Sequence, residues 1–475
     1  MKWDTWTRGT IHPHRADIIM RGLAFCALPD FITLRALYVN NRGNLWWSWH
    51  HQDLANLGNK LKKELSSAKT ASRHFRIFDK YTKRAAGESA RIIGRDLKSL
   101  NDQNLAALYD RLFAAAYPAN IILAADIDAF DTLLEDFIGA KIRQELVRHL
   151  PAGDVEPAYQ ILSATIHQTY VSKQELAVMA LALRKNISSA AVKKLWRQFW
   201  WTNLGWENMR PHTLAYFKSL VNRYHRRPGL ALERQKLVKA RLDLKRRRSN
   251  LLKKIGRPPV LLHWLEIVDR YASYHDIRKE LECRSLYAFH LLLLETARRR
   301  HLRPNNLEWL WHHEVKAILA GQPLDLAEIR RRRNWVAAIA RPGRLSFYSG
   351  ERAKQIKERE LLVKKQRLAE FKGLGVTSGI VRGRIKICMG IVEARRKVKP
   401  SDILVTNMTT PDFVPIMKRV KAIITNEGGV TCHAAVIARE FHIPCIVGTK
   451  VAMQVLHDGD RVELDAAQGT VKIIK

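Results

Sequence analysis

Thr425-Asn426-Glu427-Gly428-Gly429-Val430-Thr431-Cys432-His433-Ala434-Ala435-Val436-Ile437-Ala438-Arg439 reads as the end of a strand, a tight turn and the start of a helix. The apolar run Ala422-Ile423-Ile424 leads in, Gly428 and Gly429 let the backbone turn, Thr431 is expected to cap, and His433 falls in the first helical turn. Backbone N–H groups in a first turn lack internal partners, and the helix dipole is positive there, so an anion is welcome. A neutral imidazole at that place is a nucleophile near pH 7, and the positive helix end disfavours its protonation. The two glycines leave room for an incoming group. The pattern suits phosphoryl transfer through His433, with Gly428, Gly429, Thr431 and Cys432 shaping the loop and Arg439 offsetting charge two turns along.

Outward from this segment the texture is that of short strands. Val381, Ile385 and Ile387 alternate with Arg384 and Lys386, as in a half-buried strand. Apolar runs follow at Ile403-Leu404-Val405, Ala422-Ile423-Ile424 and Cys445-Ile446-Val447, and the alternating pairs Val462/Leu464 and Val471/Ile473 close the chain. One helix, starting near Thr431 and stopped by Pro444, lies among them. This makes a compact α/β module over residues 373–475, preceded by a charged linker helix at 350–372 and by Gly373 and Gly375 as a hinge.

The module closely resembles the phosphohistidine, or swivelling, domain of the PEP-utilising enzymes: phosphoenolpyruvate synthase, pyruvate phosphate dikinase and the rifampin phosphotransferases. The resemblance runs from Gly375-Val376-Thr377-Ser378-Gly379-Ile380-Val381-Arg382-Gly383 through Asp402-Ile403-Leu404-Val405 and Thr410-Pro411-Asp412-Phe413-Val414-Pro415-Ile416-Met417. It continues across Gly428–Glu440 to Ile443-Pro444-Cys445-Ile446-Val447-Gly448. It implies a swivelling β/β/α fold in which His433 carries the phosphoryl group. Relatives place an ATP-grasp domain before this module, and the synthases add a barrel that binds pyruvate or phosphoenolpyruvate. Neither pattern is found here. The resemblance therefore implies a phosphotransferase or a subunit of one, with ATP and Mg²⁺ or phosphoenolpyruvate bound by a separate ATP-grasp or PEP-binding protein in trans.

The first three-quarters of the chain read as mostly helical. Residues 1–60 form an irregular, tryptophan-rich segment with a strand pair around Asn40–Asn44, and 61–349 a helical domain. Asn101 caps a helix with Leu105, Leu108, Leu112 and Phe113 on one face, and Ser172 with Glu175 makes a capping-box pattern. Residues 223–257 hold 14 Lys+Arg against 2 Asp+Glu, with Leu230, Leu237, Leu244 and Leu251 at heptad spacing, which predicts a long basic helical hairpin over about 223–275. Asp126, Asp128 and Asp131 read as a solvated helix face. Fragments such as Tyr274-His275-Asp276-Ile277-Arg278-Lys279-Glu280 resemble the helical region that precedes the histidine domain in relatives; in the rifampin phosphotransferases a helical domain there binds the acceptor. As polar residues able to line a helical groove, His275, Asp276, Arg278 and Lys279 are candidate acceptor-groove residues.

Composition bounds the rest. The five cysteines show no paired spacing and read as free thiols in a reducing cytoplasm. His12/His14 and His50/His51 lack ligand-spaced partners, so no metal site is expected. No stretch reaches the roughly 18 apolar residues of a membrane span. The net charge is +37, of which the residues from Gly373 onward carry 15 Lys+Arg against 9 Asp+Glu, so the basic excess lies upstream. That excess supports attraction to a polyanion or an acidic protein. The competing reading is a non-enzymatic basic module that binds nucleic acid or another polyanion and keeps a vestigial histidine domain.

Overall fold

The computed structural model describes residues 3–8, 11–25, 34–42, 44–130, 135–164, 166–205, 208–361, 368–388, 390–409, 413–428 and 432–474. An N-terminal region dominated by long helices is followed by a mixed sheet with short helices. Among the described residues the hydrophobic cores of the two parts share no side chain.

The N-terminal region has a five-stranded antiparallel sheet of β1 (Trp3–Arg8), β2 (Ala36–Asn41), β3 (Asn44–His50), β4 (Val336–Arg341) and β5 (Arg344–Ser349), ordered β1-β3-β2-β4-β5. The strand pair expected around Asn40–Asn44 is β2–β3, joined through Arg42 at φ +46°. Its pairing to β4 links residues some three hundred positions apart, which no local pattern reveals. Tyr38, Trp47 and Trp49 face the main helical core, whereas Leu37, Val39, Ala337 and Ile339 face the helix Gly350–Leu361 through Ala353 and Ile356. Alternation with both faces covered explains why these strands read as nearly continuous apolar runs.

Helices α1 (Pro13–Phe25), α2 (His51–Leu65), α3 (Ala68–Ile93) and α4 (Asp102–Ile121) surround that core. Asn101 Oδ1 accepts from Asn104 N at 2.8 Å, the expected cap of α4. Beyond it, Ile122–Asp126 widen into a π-turn. A separate small module follows, built from α5 (Tyr170–Ala182), α6 (Ser189–Phe199), α7 (Leu214–His225) and α8 (Leu230–Lys254) around Val178, Met179, Leu195, Phe217 and Val221. The cap of α5 is Thr169, whose Oγ1 accepts from Ser172 N at 3.3 Å; the Ser172/Glu175 pair lies inside the helix. Helix α9 (Pro259–Arg299) runs for 41 residues through the whole region. It meets α8 through Arg248, which grips Asp269 with both guanidinium nitrogens at 2.9 and 2.8 Å.

The C-terminal sheet runs β6-β13-β12-β8-β9-β10-β11-β7. Its strands are β6 (Glu370–Lys372), β7 (Leu374–Gly375), β8 (Ile380–Cys388), β9 (Asp402–Thr406), β10 (Ala422–Thr425), β11 (Cys445–Val447), β12 (Arg461–Asp465) and β13 (Thr470–Ile474). Every strand read from the sequence is present, and β8 to β11 are parallel. Ile403 and Val405 point to one core with Ile385, Ile424 and Leu464, while Leu404 points to the other with Ile423 and Val447.

The terminal strands β6 and β7 are consecutive in the chain, with only Gly373 between them, so the sheet curls until its ends meet. A Cβ on Gly373 would lie 2.7 Å from Ile446 and Thr449 side-chain carbons, and one on Gly375 would lie 2.0 Å from the carbonyl oxygen of Ala466. Gly373 N also donates to Gly469 O at 2.8 Å. Close approach at this seam, with backbone groups already paired, accounts for both glycines that the sequence marks as a hinge.

Candidate functional site

The parallel strands end at Thr406 of β9, Thr425 of β10 and Val447 of β11, and the three following loops converge. The middle loop is held from both sides. Asn426 N donates to Thr406 O at 3.1 Å and Glu427 N to Asn407 O at 2.9 Å. On the other side Thr449 N donates to Thr425 O at 3.1 Å and Lys450 N to Asn426 O at 3.0 Å.

Side chains reinforce this frame. Asn407 Nδ2 donates to Glu427 Oε1 at 2.6 Å, and Thr425 Oγ1 donates to Glu427 O at 2.7 Å. Asn426 Oδ1 accepts from Met453 N at 3.0 Å and Thr449 Oγ1 at 3.3 Å. Asn407 and Asn426 are buried, so losing these bonds would leave unpaired polar groups. Sequence reasoning passed over both asparagines and Glu427. Their only sequence signal is a polar residue directly after each of two apolar strands.

Gly428 has φ +109°, and a Cβ there would meet Cys432 Sγ at 2.7 Å. Gly448, at φ +67°, would bring its own Cβ to 2.7 Å from Gly428 O. The turn is therefore compact enough to demand glycine twice. Gly429 and Thr431 lie outside the described residues, as does the side chain of His433.

Helix α10 (His433–Glu440) begins at His433 itself. The N-cap position falls on Cys432, one residue later than expected, with extended φ −66° and ψ 162°. Its side chain makes no capping hydrogen bond, so it does not occupy the first-turn amides. Ala434, Ala435 and Ala438 are buried, which seats the helix closely on β10 and β11. Arg439 stands about 9 Å further along the axis. Its Nε donates to Val376 O at 3.2 Å, tying the last turn to the segment after β7. From the same segment Thr377 Oγ1 donates to Ile443 O at 2.9 Å and accepts from Cys445 N at 2.9 Å. Burial pushes the thiols of Cys388 and Cys445 up, the former to about 11, leaving the half-buried Cys432 as the cysteine of this rim.

The model of the PEP-utilising enzyme mobile domain matches residues 398–469. The C-terminal part of this chain is a PEP-utilising enzyme mobile domain. A protein named "Probable phosphoenolpyruvate synthase" from Archaeoglobus fulgidus is 54% identical over 101 residues, 21% of this chain and 13% of that protein. Another so named from Methanothermobacter thermautotrophicus is 50% identical over 117 residues, 25% of this chain and 16% of that protein. The chain thus spans less than a fifth of the length of these curated relatives. Among solved structures, aconitase X of Thermococcus kodakaraensis (holo-form) is 22% identical, covering 22% of this chain and 98% of that one with a TM-score of 0.18.

Away from the mobile domain, the four acceptor-groove candidates lie on α9 without converging. Asp276 Oδ2 pairs with His167 Nε2 at 2.8 Å, whereas Arg278 donates to Asp128 Oδ1 at 3.3 Å. Lys279 lies beside the Cys283 thiol. Asp126 corrects the reading of a solvated aspartate face: it is 2% exposed, and Asp131 lies outside the described residues. His74 Nε2 stands 3.1 Å from Asp126 Oδ2 and its Nδ1 stands 3.2 Å from Glu64 Oε2. Burial lowers the His74 pKa, but the two carboxylates outweigh it and raise the group to about 9. The imidazolium is held charged at neutral pH as a structural cross-link among α2, α3 and the π-turn. No described helix is long and apolar enough to cross a membrane.

Proposed function

We propose that this protein is a phosphoryl carrier, a phosphotransferase or subunit of one, that works through a phosphohistidine at His433. The observation that carries this reading is His433 as the first residue of α10, at the carboxyl rim of parallel strands in a PEP-utilising enzyme mobile domain. An imidazole nitrogen of His433 attacks the phosphorus of the donor. The N–P bond forms as the P–O bond to the leaving group breaks, and that oxygen leaves with the electron pair. In the second half an acceptor oxygen attacks, the N–P bond breaks and the neutral imidazole returns. First-turn amides and the helix dipole stabilise the added negative charge.

The donor site belongs to a partner protein of the ATP-grasp or PEP-binding kind. Transfer between sites requires the mobile domain to move as a body, with its pivot outside β6 and β7, since the Gly373 seam is internal to the sheet. The test is labelling of the full-length protein with radiolabelled ATP or phosphoenolpyruvate in the presence of candidate partners. Label that is stable in base, labile in acid and lost in His433→Ala supports the carrier. Absence of label with every donor, or label that persists in His433→Ala, overturns it.

A further inference from the structure

The basic excess is gathered in one place. Residues 170–254, the α5–α8 module with its own core, hold 21 Lys+Arg against 4 Asp+Glu, a balance of +17 out of +37 for the chain. The same module carries an unusual share of exposed large apolar side chains: Val171 at 58%, Leu232 at 56% and Leu242 at 59%, with Leu183, Tyr216 and Leu237. Charge and apolar surface meet at a groove of about 510 Å³ between α5 and α7. Val171, Val178 and Leu220 supply apolar walls, and Tyr216, Arg223 and Arg227 stand on its rim. Arg227 pairs with Glu233 at 3.2 Å, which joins the rim to the first turn of the basic helix α8.

We propose that this groove docks a partner protein through an acidic segment bearing one or two large apolar side chains. The apolar side chains would seat on Val171 and Leu220 while flanking carboxylates meet Arg223, Arg227 and the lysines and arginines of α8. Charge of this density speeds encounter with an acidic partner and repels basic ones. An apolar seat inside a charged rim is the anatomy of a protein interface. Nucleic acid is the rival occupant, since Arg223, Arg227 and Tyr216 suit phosphates and a stacked base, but the aliphatic walls of Val171, Val178 and Leu220 favour seated apolar side chains over bases. A membrane surface needs one apolar face. Leu232, Leu237 and Leu242 follow at five-residue steps, about 140° apart in rotation, so they ring α8 without making a face. This surface is independent of the phosphoryl chemistry and stands or falls without it.

The experiment is fluorescence anisotropy on the full-length protein with two labelled glutamate-rich peptides of equal length and charge, one with spaced leucines and one with serines in their place. A single-stranded RNA and phosphatidylserine vesicles run in parallel. The leucine peptide is expected to bind about tenfold tighter than the serine peptide, the worth of one seated leucine. That advantage should vanish in Val171→Asp and in the pair Arg223→Glu/Arg227→Glu, all at exposed positions and checked for folding by circular dichroism. His433→Ala should bind as the parent does, which separates this surface from the carrier role. Equal binding of the two peptides, or no binding, overturns the proposal. So does tighter binding of RNA or vesicles with the same sensitivity to Arg223→Glu/Arg227→Glu.

Discussion

In the mobile domain, Asn407, Asn426 and Glu427 hold a turn whose neighbours in sequence are the residues proposed to carry the phosphoryl chemistry. In the helical region, Glu64, His74 and Asp126 come from three separate elements and meet where solvent scarcely reaches. Both are polar clusters built on specific pairings, yet they serve opposite ends. The first leaves a helix start open at a rim and fixes only the backbone around it. The second encloses a charge and fixes helices against one another. A titratable group surrounded by perturbing neighbours therefore does not by itself mark a functional site in this molecule.

The comparison predicts that substitutions in the two clusters separate cleanly by readout. The largest effect is expected for His433→Ala: complete loss of acid-labile label with the thermal melt unchanged, read by autoradiography beside calorimetry. His74→Gln should do the reverse, costing about 3–5 kcal/mol by taking the positive partner from buried Asp126 while sparing the label. Chemical denaturation monitored on tryptophan fluorescence measures it, and a loss of label with intact stability would erase the distinction drawn here.

Gly428→Val places a branched side chain at φ +109° against Cys432 and should cost about 1–3 kcal/mol. Limited proteolysis should show the mobile domain opening first. Titration sharpens the contrast further. His74 is raised from 6.5 to about 9, so its contribution is complete below pH 6.5 and is lost as the pH climbs through 9. Burial, and then Arg15, holds His14 down at about 3; burial, and then Arg21, does the same for His312. Their contributions are complete above pH 6.5 and fade as the pH falls toward 3. The melting temperature should peak near neutrality, and His74→Gln should flatten the alkaline limb alone. The smallest effect is expected for Arg439→Ala, about 0.5–1.5 kcal/mol from one hydrogen bond to Val376 O.

What the sequence discloses follows the range of the interactions involved. The strand that ends at Thr425 and the helix that begins at His433 are legible because each is set by residues within a few positions of one another. The β9, β10 and β11 runs are legible because strands buried on both faces cannot hide their hydrophobicity. The Asn407–Glu427 bond escapes notice because its partners belong to different loops. Asp126 was misread because its neighbours His74 and Glu64 are supplied by other helices, which no local periodicity records. The cap at Thr169 was missed because Ser172 with Glu175 completes the capping-box pattern, whereas Thr169 has Ser172 at that spacing and caps with its own hydroxyl alone. Gly373 and Gly375 look like freedom in the sequence and are confinement in the fold.

That seam has a practical consequence for anyone isolating the domain. The family match begins at residue 398, yet β6 covers the outer edge of β13 and β7 covers β11. A fragment begun at Leu374 would leave the backbone of β13 bare along one side, and bare strand edges recruit other strands. Cutting the gene before Glu370 should yield a soluble monomer, whereas cutting only a few codons later should yield a sticky one.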